Sequence, residues 1–539
     1  MSVLEEAVQR LESATAPAGP LGRALADSGT GFAAVGGPLQ LRWEQAWREL
    51  ADCLRPLDHS EQLILHEGGG YQGCWLESTA TICAETLDRF APDIVRATQL
   101  GFARHQRADG LLPYKLTPAG PGFCQIQMVT PLARSVWRHY QATGDRDHLR
   151  ALYRAMARMD DWLAAHRDTR GTGGVEIFCA FDTGHDNSPR CWFMPQRCHL
   201  GDAARWDPDY PGLPLIAPDL TANVACQRDY LALMAAELGG DPTGWRAKAA
   251  ASRAALWRQC HDAEDQFFYD RDAAGRPRRV QSDVLLRVLA CEVGDDACFD
   301  AALESYLLHS AKFASPYGFT SLALDDPRFD HDYRRNSWGG PINLLSLLRA
   351  PDAFEPHGRL AELATVQLGA LAALAVADRF PQCLDPWSGE PGFASAYAPC
   401  LLWFIDTIER CAGLLARPDG ELWLNGLDLT RLEAGAAPRA WAHARRHAGQ
   451  AYVLAGDGAT VQVGRDGSDW LSFPAGWRVV VADGRPTAVI GLARRPPSGE
   501  LVWGDRRWAL SPGPNERLDL TGPGGVRPVS PPRLIDPSW

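Results

Sequence analysis

The amino-acid sequence predicts a mainly α-helical protein: an (α/α)6 barrel, that is a six-hairpin toroid, followed by a small C-terminal antiparallel β domain. Apolar residues recur with a helical period from about residue 45 to residue 415. Beyond residue 416 the period changes to two, as in strands. Long loops rich in Gly, Pro and aromatic residues separate the helical stretches; we place them at 66–75, 113–130, 171–216, 313–341 and 379–397.

Two stretches illustrate the helical period. Between residues 149 and 163 one buried stripe is formed by Leu149, Leu152, Tyr153, Met156 and Leu163. After Asp219 a second stripe is formed by Leu220, Val224, Leu231, Met234 and Leu238, and Gly239 and Gly240 end the predicted helix. Many helices joined by long loops favour a toroid whose inner helix ends open onto a shared pocket.

The C-terminal part carries short runs rich in Val and aromatic residues, separated by Gly or Asp-Gly turns. They are AYVLAG, ATVQVG, WRVVVADG and TAVIGLA. This pattern predicts a small antiparallel β domain. The predicted organisation is therefore an N-terminal helical and extended segment, 1–44, a barrel domain of catalytic type, 45–415, and a β domain with a Pro-rich tail, 416–539.

Bulk composition excludes several classes of function. Hydrophobic residues make up 46% and charged residues 22% of 539, as in ordinary globular proteins. A net charge of −12 argues against a nucleic-acid partner or an anionic membrane surface. The N-terminus does not resemble a signal peptide, and no apolar run approaches the length of a membrane span. The oligomeric state cannot be predicted from these features.

The 14 cysteines lead to a prediction about disulfides, bound metal and localisation. They are scattered, without a CxxC pair and without a Cys/His cluster at zinc spacing. In a chain without an export signal they indicate reduced, mostly buried thiols. We therefore predict a cytoplasmic protein with neither disulfides nor a bound metal.

The candidate site residues all lie in the long loops, where carboxylates are mixed with Trp and Tyr. This mixture fits sugar recognition, because aromatic faces stack on a pyranose while Asp, Asn and Gln bond its hydroxyls. Any single Trp is more simply a core residue, but five such loops together favour a site. The candidates are Tyr71, Trp75, Glu77, Gln127, Asp182, His185, Asp186, Asn187, Trp192, Trp338, Gln382, Asp385, Trp387 and Glu390.

The segment FDTGHDNSPR, residues 181–190, is the most informative of these loops. It places Asp182 and Asp186 around His185, and Gly184 and Pro189 interrupt any regular helix or strand. A plain turn has the same composition. Glycoside hydrolysis requires two carboxyl groups, one to protonate the leaving oxygen and one to act as base or nucleophile opposite. The other loops therefore favour a catalytic interpretation of this segment.

The sequence resembles a known family at four segments in the same order. FDTGHDNSPRCW is similar to the E-S-G-x-D-N-S-P-R-W segment of glycoside hydrolase family 63 and its bacterial relatives, which include mannosylglycerate and glucosylglycerate hydrolases and, more distantly, trehalases. Further similar segments are PDLTANVACQRDYLALMAAELG, YGFTSLALDDPRF with NSWGGPINLL, and DPWSGEPG. The resemblance covers roughly residues 65–415 and implies an (α/α)6 barrel that hydrolyses α-glycosides with inversion, without a metal or organic cofactor.

The resemblance also assigns roles to individual residues. The general acid of the family aligns with Asp186, and its general base, a Glu, aligns with Gln382. Glu77 stands where relatives carry an acid that binds substrate, and Asp182 replaces a Glu. The family's W-R-G-P segment is also changed, since Trp338 is followed by two glycines, so an expected guanidinium is missing from that place.

An amide cannot take a proton from water, so Gln382 leaves several hypotheses open. Asp385 or Glu390 supplies the base, or phosphate replaces water, with Arg335 and Lys115 as the obvious basic residues. Alternatively the protein is a non-hydrolytic carbohydrate-binding protein, performs another acid-initiated reaction, or carries Gln382 as an engineered change. The first hypothesis remains a glycosidase for a small α-glucoside-type substrate with Asp186 as general acid.

Overall fold

The computed structural model describes residues 1–57, 61–127, 130–433, 435–522 and 524–537. Its N-terminal segment consists of α1 (Val3–Glu12), α2 (Gly19–Ser28), β1 (Gly31–Val35) and α3 (Leu39–Asp52). Ser2 caps α1 through a capping box with Glu5. The predicted boundary between 44 and 45 is wrong, because it falls within α3, whose buried Trp43 and Trp47 bind this segment to the core.

Helices dominate the middle of the chain. They are α4 (Cys83–Leu87), α5 (Pro92–Arg104), α6 (Leu132–Thr143), α7 (Arg146–His166), α8 (Pro218–Glu237), α9 (Thr243–Gln259), α10 (Val284–Leu289), α11 (Asp296–Ala302), α12 (Leu344–Phe354), α13 (Leu360–Val376) and α14 (Ala398–Ala412). Of these, α7 and α8 correspond to the two helical stretches described from the sequence.

Local sequence explains the ends of these helices. The side chain of Asp145 accepts a hydrogen bond from the backbone nitrogen of His148 and so begins α7. The predicted stripe on α7 is confirmed at Leu149, Leu152 and Met156, which are buried. Gly239, with a φ of 83°, follows the end of α8 as predicted.

Short strands lie in the loops between the helices. They are β2 (Leu54–Pro56), β3 (Leu63–Leu65), β4 (Cys74–Trp75), β5 (Lys115–Thr117), β6 (Gly120–Gly122), β7 (Glu176–Ile177), β8 (Leu215–Ile216), β9 (His261–Asp262), β10 (Phe267–Phe268), β11 (Asp270–Arg271), β12 (Pro277–Arg278), β13 (Ala314–Ser315), β14 (Gly318–Phe319), β15 (Ile342–Asn343) and β16 (Cys383–Leu384). The pairs β4–β5 and β15–β16 bring loops that are distant in sequence together.

The C-terminal part is antiparallel, as predicted. Its strands are β17 (Leu414–Ala416), β18 (Leu422–Asn425), β19 (Ala440–His447), β20 (Gln450–Gly456), β21 (Thr460–Arg465), β22 (Ser468–Pro474), β23 (Trp477–Ala482), β24 (Arg485–Gly491), β25 (Gly499–Trp503), β26 (Arg506–Leu510), β27 (Arg517–Gly522) and β28 (Gly525–Ser530). One sheet has the order β1-β19-β20-β21-β22-β25-β26 and the other β17-β18-β23-β24-β27-β28.

The N-terminal segment is part of this β structure, which the sequence did not indicate. Strand β1 pairs antiparallel with β19, with Gly31 opposite Ala444 and Val35 opposite Ala440. The predicted boundary between 415 and 416 also falls within β17. One continuous core joins α3, α14 and both sheets and includes Trp43, Trp403, Trp441 and Trp477. The helical part and the β part are therefore packed together through a shared apolar interior.

Among the described residues, no helix is both long enough and apolar enough to cross a membrane.

Candidate active site

One small cavity brings several of the loop residues together. Its lining includes residues from all five of the predicted long loops, together with residues from helical segments. The lining residues are Glu67, Tyr71, Trp75, Glu77, Ser78, Gln127, Gly184, Asp186, Trp338, Leu345, Gln382 and Tyr397. Of the 14 candidates, the cavity therefore gathers Tyr71, Trp75, Glu77, Gln127, Asp186, Trp338 and Gln382.

Asp186 lies on the loop 181–190 and keeps part of its surface open to the cavity. Its Oδ2 atom accepts a hydrogen bond of 2.7 Å from Nδ2 of Asn336. Burial raises the pKa of Asp186 to about 6, against the opposing effect of the Asn336 bond, and the charge of Glu77 raises it further. A carboxyl with such a pKa is protonated in part of the molecules near neutral pH, as a proton donor must be.

A chain of hydrogen bonds connects Asp186 to Gln382. Asn336 donates to Asp186 with its amide nitrogen and accepts, through Oδ1, a bond of 3.0 Å from Nε2 of Gln382. Oε1 of Gln382 in turn accepts a bond of 2.8 Å from the hydroxyl of Tyr71. Every donor and acceptor in this chain points the same way, so the amide of Gln382 is held in one orientation.

Glu77 is held by two guanidinium groups behind the cavity. Its Oε1 atom lies 3.2 Å from Arg349 and 3.6 Å from Arg287, and its Oε2 accepts a bond of 3.1 Å from Gln127. Both arginines lie in mainly apolar helices, α12 and α10. The positive charge that the sequence lacks after Trp338 is therefore supplied from elsewhere, and Arg287 also lies 4.8 Å from the centre of the Trp338 ring.

The loop that carries Asp186 approaches Glu77 so closely that its residue 184 must be glycine. Gly184 has a φ of 67°, and a Cβ atom there would collide with the carboxylate of Glu77 and the amide of Gln127. Gly184 therefore permits both the left-handed backbone conformation and the close approach of this loop to Glu77.

Glu67 is a cavity carboxyl that the sequence analysis missed. It is only 5% exposed, and the hydroxyls of Ser78 and Tyr397 donate to its carboxylate. Burial raises the pKa of Glu67 to about 7, and the charge of Glu77 adds to this effect. The signal in the sequence is the acid itself, within LILHEGGGYQGC, just before the glycines that turn the chain towards Tyr71.

Two predicted binding residues belong to the protein interior instead, so the structure corrects these assignments. Asp182 is fully buried, and Arg167 donates to both of its oxygens at 2.6 and 3.1 Å. The backbone nitrogens of Ile126 and Phe178 complete its bonds. A structural ion pair therefore uses the carboxylate of Asp182, and it does not face the cavity.

His185 lies behind Trp338, with ring centres 5.0 Å apart, and does not line the cavity. Its Nδ1 faces the guanidinium of Arg190 at 3.1 Å, which can only donate, and its Nε2 lies 2.8 Å from Asp283. Burial and the nearby charge of Arg287 lower the pKa of His185 to about 4. This neutral histidine supports the cavity wall and is not placed to bind substrate.

The two acids proposed as replacement bases also lie outside the cavity. Oδ1 of Asp385 accepts bonds from the backbone nitrogens of Trp387 and Ser388, at 2.9 and 2.8 Å, and so closes a turn. Glu390 is exposed, accepts a bond from the Tyr333 hydroxyl and borders a separate groove. Neither carboxyl faces Asp186 across the cavity, which corrects both assignments.

The remaining candidates lie at the surface near the loops that form the cavity. Trp192 is 60% exposed, and its Nε1 donates to the backbone oxygen of Asn187. Asn187 is exposed and donates to the backbone oxygen of Asn336 at 2.6 Å, so it ties two site loops together. Trp387 is 53% exposed and packs on Phe329.

A cluster of Cys179, Asp182 and Cys198 has the spacing of a metal site. Arg167, however, donates to both Asp182 and Cys198, at 2.6 and 3.6 Å, and a cation does not bind readily beside a guanidinium. The arrangement therefore fits a buried ion pair flanked by thiols better than a metal centre.

A helical domain with a cavity walled by carboxyl, amide and aromatic side chains has the arrangement of a glycoside hydrolase. The family profile of the mannosylglycerate hydrolase MGH1-like glycoside hydrolase domain matches residues 75–398. Because the match covers more than half of the sequence, the chain belongs to this family. Comparison with curated protein sequences gives no significant match.

Solved structures share the fold. The mannosylglycerate hydrolase of family 63 from Thermus thermophilus, in complex with Tris and D-glycerate, superposes with a TM-score of 0.57 at 20% identity, over 68% of this chain and 99% of that one. The same enzyme in complex with glucose gives 0.57 at 20% identity, over 67% and 99%. The neutral trehalase from Saccharomyces cerevisiae gives 0.51 at 14% identity, over 65% and 74%.

Proposed function

We propose that this protein cleaves a small α-glycoside with inversion of configuration, and that Asp186 donates the proton to the leaving oxygen. The observation that carries the proposal is the placement of Asp186. Its carboxyl opens to a cavity lined by Trp75, Trp338 and Tyr71, and its pKa is raised to about 6 by burial. A protonated acid beside aromatic rings is what cleavage of a glycosidic bond requires.

The proposed barrel follows from the same comparisons. The family match and the likeness in fold to a trehalase support an (α/α)6 arrangement of the helical part. Within it, α10 and α12 bring Arg287 and Arg349 to the cavity, and the loops between helices bring the acids. On this proposal the β domain closes one side of the barrel and holds no part of the site.

The substrate that we propose is a single sugar unit with a small aglycone. The complexes of the Thermus thermophilus enzyme with glucose and with D-glycerate support this class. The cavity volume of about 50 Å³ holds only a few water molecules, so part of its wall has to move outwards when a sugar ring enters. Glu77, held by Arg349, and Gln127 are the groups that we assign to the sugar hydroxyls.

A phosphorylase is less well supported by the charges around the cavity. Phosphate needs unpaired cations near the acid. Arg335, however, is exposed and ion-paired with Asp330, and the guanidinium groups of Arg287 and Arg349 face Glu77. The ammonium group of Lys115 lies 5.5 Å from the ring centre of Trp75 and 5.4 Å from that of Tyr114, and Lys115 does not line the cavity. Water is therefore the nucleophile that we propose.

The test is hydrolysis by the purified protein of trehalose, kojibiose, glucosylglycerate, mannosylglycerate and nitrophenyl α-glycosides, with and without phosphate. We expect free sugar from at least one of them, and loss of its release in Asp186→Asn. Sugar phosphate that forms only with phosphate present would indicate a phosphorylase. Binding without turnover of any substrate would indicate a non-hydrolytic protein.

A further inference from the structure

The proposed mechanism lacks a base, because Gln382 stands where the family places a glutamate. An amide holds water in position but takes no proton from it. Among the residues that the structure describes, three carboxyl groups line the cavity, those of Glu67, Glu77 and Asp186. Asp186 is assigned to the leaving group, so the choice lies between Glu67 and Glu77.

Glu77 is poorly suited to accept a proton. Arg349 and Arg287 lie within 3.2 and 3.6 Å of one of its oxygens, and Gln127 donates to the other. Both oxygens of Glu77 are therefore already engaged by cationic or amide groups of the protein, and neither is left to accept a proton from water.

Glu67 has different surroundings. In the part of the chain that the structure describes, only the hydroxyls of Ser78 and Tyr397 donate to its carboxylate, and no guanidinium or ammonium group forms an ion pair with it. The other titratable groups that face it are those of Tyr71, Glu77, Cys53, Cys74 and Cys83. None of these groups carries a positive charge. The carboxyl of Glu67 is thus free to exchange a proton near neutral pH.

The backbone fixes Glu67 in a short segment that also carries Tyr71, the hydrogen-bond partner of Gln382. The nitrogen of Glu67 donates to Gly73 at 2.8 Å, and its carbonyl accepts a bond of 2.9 Å from Ala398 at the start of α14. Tyr71 lies in the tight turn that follows Glu67 in the chain, and its hydroxyl donates to Gln382. Burial raises the pKa of Tyr71, and the charges of Asp186 and Glu67 raise it further, so both acids lie near this hydroxyl.

We propose that Glu67 is the proton acceptor of this site and performs the step that Gln382 cannot. The inference rests on the proposed glycosidase function and adds the residue that activates water. Gln382, Tyr71 and Glu67 all line the same cavity, so a water molecule held by the first two would enter the space that the Glu67 carboxyl borders. Gln382 then has a positioning role, and Glu67 acts as the base.

The step balances in protons and electrons. The water oxygen forms a bond to the anomeric carbon, and one water proton passes to the Glu67 carboxylate. The bond between the anomeric carbon and the glycosidic oxygen breaks, its electron pair stays on that oxygen, and the oxygen takes the proton of Asp186. The products are a sugar of inverted configuration and a free alcohol, and both carboxyls then exchange one proton with solvent.

The experiment compares an alkyl α-glycoside, whose leaving alkoxide needs a proton, with an α-glycosyl fluoride, since fluoride leaves without help from an acid. We expect Glu67→Gln to lower kcat at least about 100-fold on both substrates, with KM changed less than about threefold. Asp186→Asn should impair the fluoride far less than a glycoside with a poor leaving group. Glu500→Gln, an exposed carboxyl of the β domain, is the control and should have no effect.

Chemical rescue separates catalysis from folding. Formate should restore hydrolysis by Glu67→Ala in proportion to its concentration, and azide should give a β-glycosyl azide. In addition, Glu67→Gln/Gln382→Glu should regain hydrolysis, because a carboxylate returns to the position beside Tyr71. These gains cannot come from a misfolded protein.

The outcomes distinguish the two proposals. If the wild type releases no sugar from either substrate, the proposed function fails, and the role of Glu67 fails with it. If the wild type is active and Asp186→Asn is not, while Glu67→Gln matches the wild type, the function stands and the role of Glu67 is wrong. Loss of activity in Glu67→Gln without rescue of Glu67→Ala also overturns the inference.

Discussion

Asp186 accepts a hydrogen bond of 2.7 Å from the side-chain nitrogen of Asn336. A donor at this position favours the ionised form of the carboxyl and so opposes the rise in pKa caused by burial. The orientation of Asn336 is fixed from its other end, since its oxygen accepts a bond from Gln382. The side chain at position 382 therefore influences the Asp186 carboxyl through a single intervening group, the amide of Asn336.

The first prediction concerns Asn336→Ala. Removing the donor should raise the pKa of Asp186 from about 6, because burial is then opposed only by the charge of Arg287. Asp186 must be protonated to act, so the fall of kcat/KM at high pH should move to higher pH. Tyr71→Phe is the control, because it breaks the far end of the chain and keeps the bond to Asp186. An equal shift in both variants would contradict this account.

Replacing Gln382 by glutamate should also raise the pKa of Asp186, because it adds a negative charge near that carboxyl. In Gln382→Glu, Asn336 can turn its nitrogen towards Glu and its oxygen towards Asp186, which then bonds best as the protonated acid. We expect the high-pH limb of the kcat/KM profile to rise by about one pH unit. The measurement is the pH dependence of hydrolysis of one substrate by both proteins. An unchanged limb would show that residue 382 and Asp186 are not coupled.

The raised pKa values of Asp186 and Glu67 have a consequence for stability. Both carboxyls hold a proton in the folded protein at a pH where the unfolded chain has lost it, so the free energy of unfolding falls as pH rises from about 4 to about 7. Asp186→Asn and Glu67→Gln should therefore stabilise the protein by about 1–3 kcal/mol at pH 7.5. Denaturant unfolding at pH 7.5 and pH 4 measures this gain, which should vanish at the lower pH. A gain that is equal at both values would exclude proton linkage as its cause.

We expect Asp182 to contribute to the stability of the fold and not directly to the reaction. Asp182→Asn leaves the buried guanidinium of Arg167 without its counter-charge, which should lower the free energy of unfolding by about 3–5 kcal/mol. Asp147→Asn removes an exposed pair with Arg150 and is the matched control, with an expected change of less than about 1 kcal/mol. Urea unfolding of both variants checks this. Similar losses of unfolding free energy in the two variants would contradict the expectation that the buried ion pair contributes more to stability than the exposed one.

The sequence predicted the helical and β parts well, because their periodicities are strong and local. Its errors lie where distant segments meet. Strand β1 is five residues long, and its partner β19 lies about 400 residues further along the chain, so no local pattern announces the pairing. For the same reason the boundaries near residues 44 and 415 were placed inside single elements.

For the site, motifs indicated the right loops but not the direction in which each side chain points. Asp182 and Asp186 are four residues apart in one loop, yet one faces Arg167 in the interior and the other faces the cavity. Arg287 and Arg349 lay hidden in apolar helices, where a buried arginine is itself a signal. Glu67 was missed because the role that we propose for it depends on which charged groups surround its carboxyl, and only the fold determines that.

The central claim is most directly tested by proton NMR of the reducing sugar in the first minutes of hydrolysis. The account predicts that the wild type releases the β-anomer of the sugar from an α-glycoside before mutarotation, and that Asp186→Asn releases neither anomer at a comparable rate. Initial release of the α-anomer, or undiminished release by Asp186→Asn, would contradict the account.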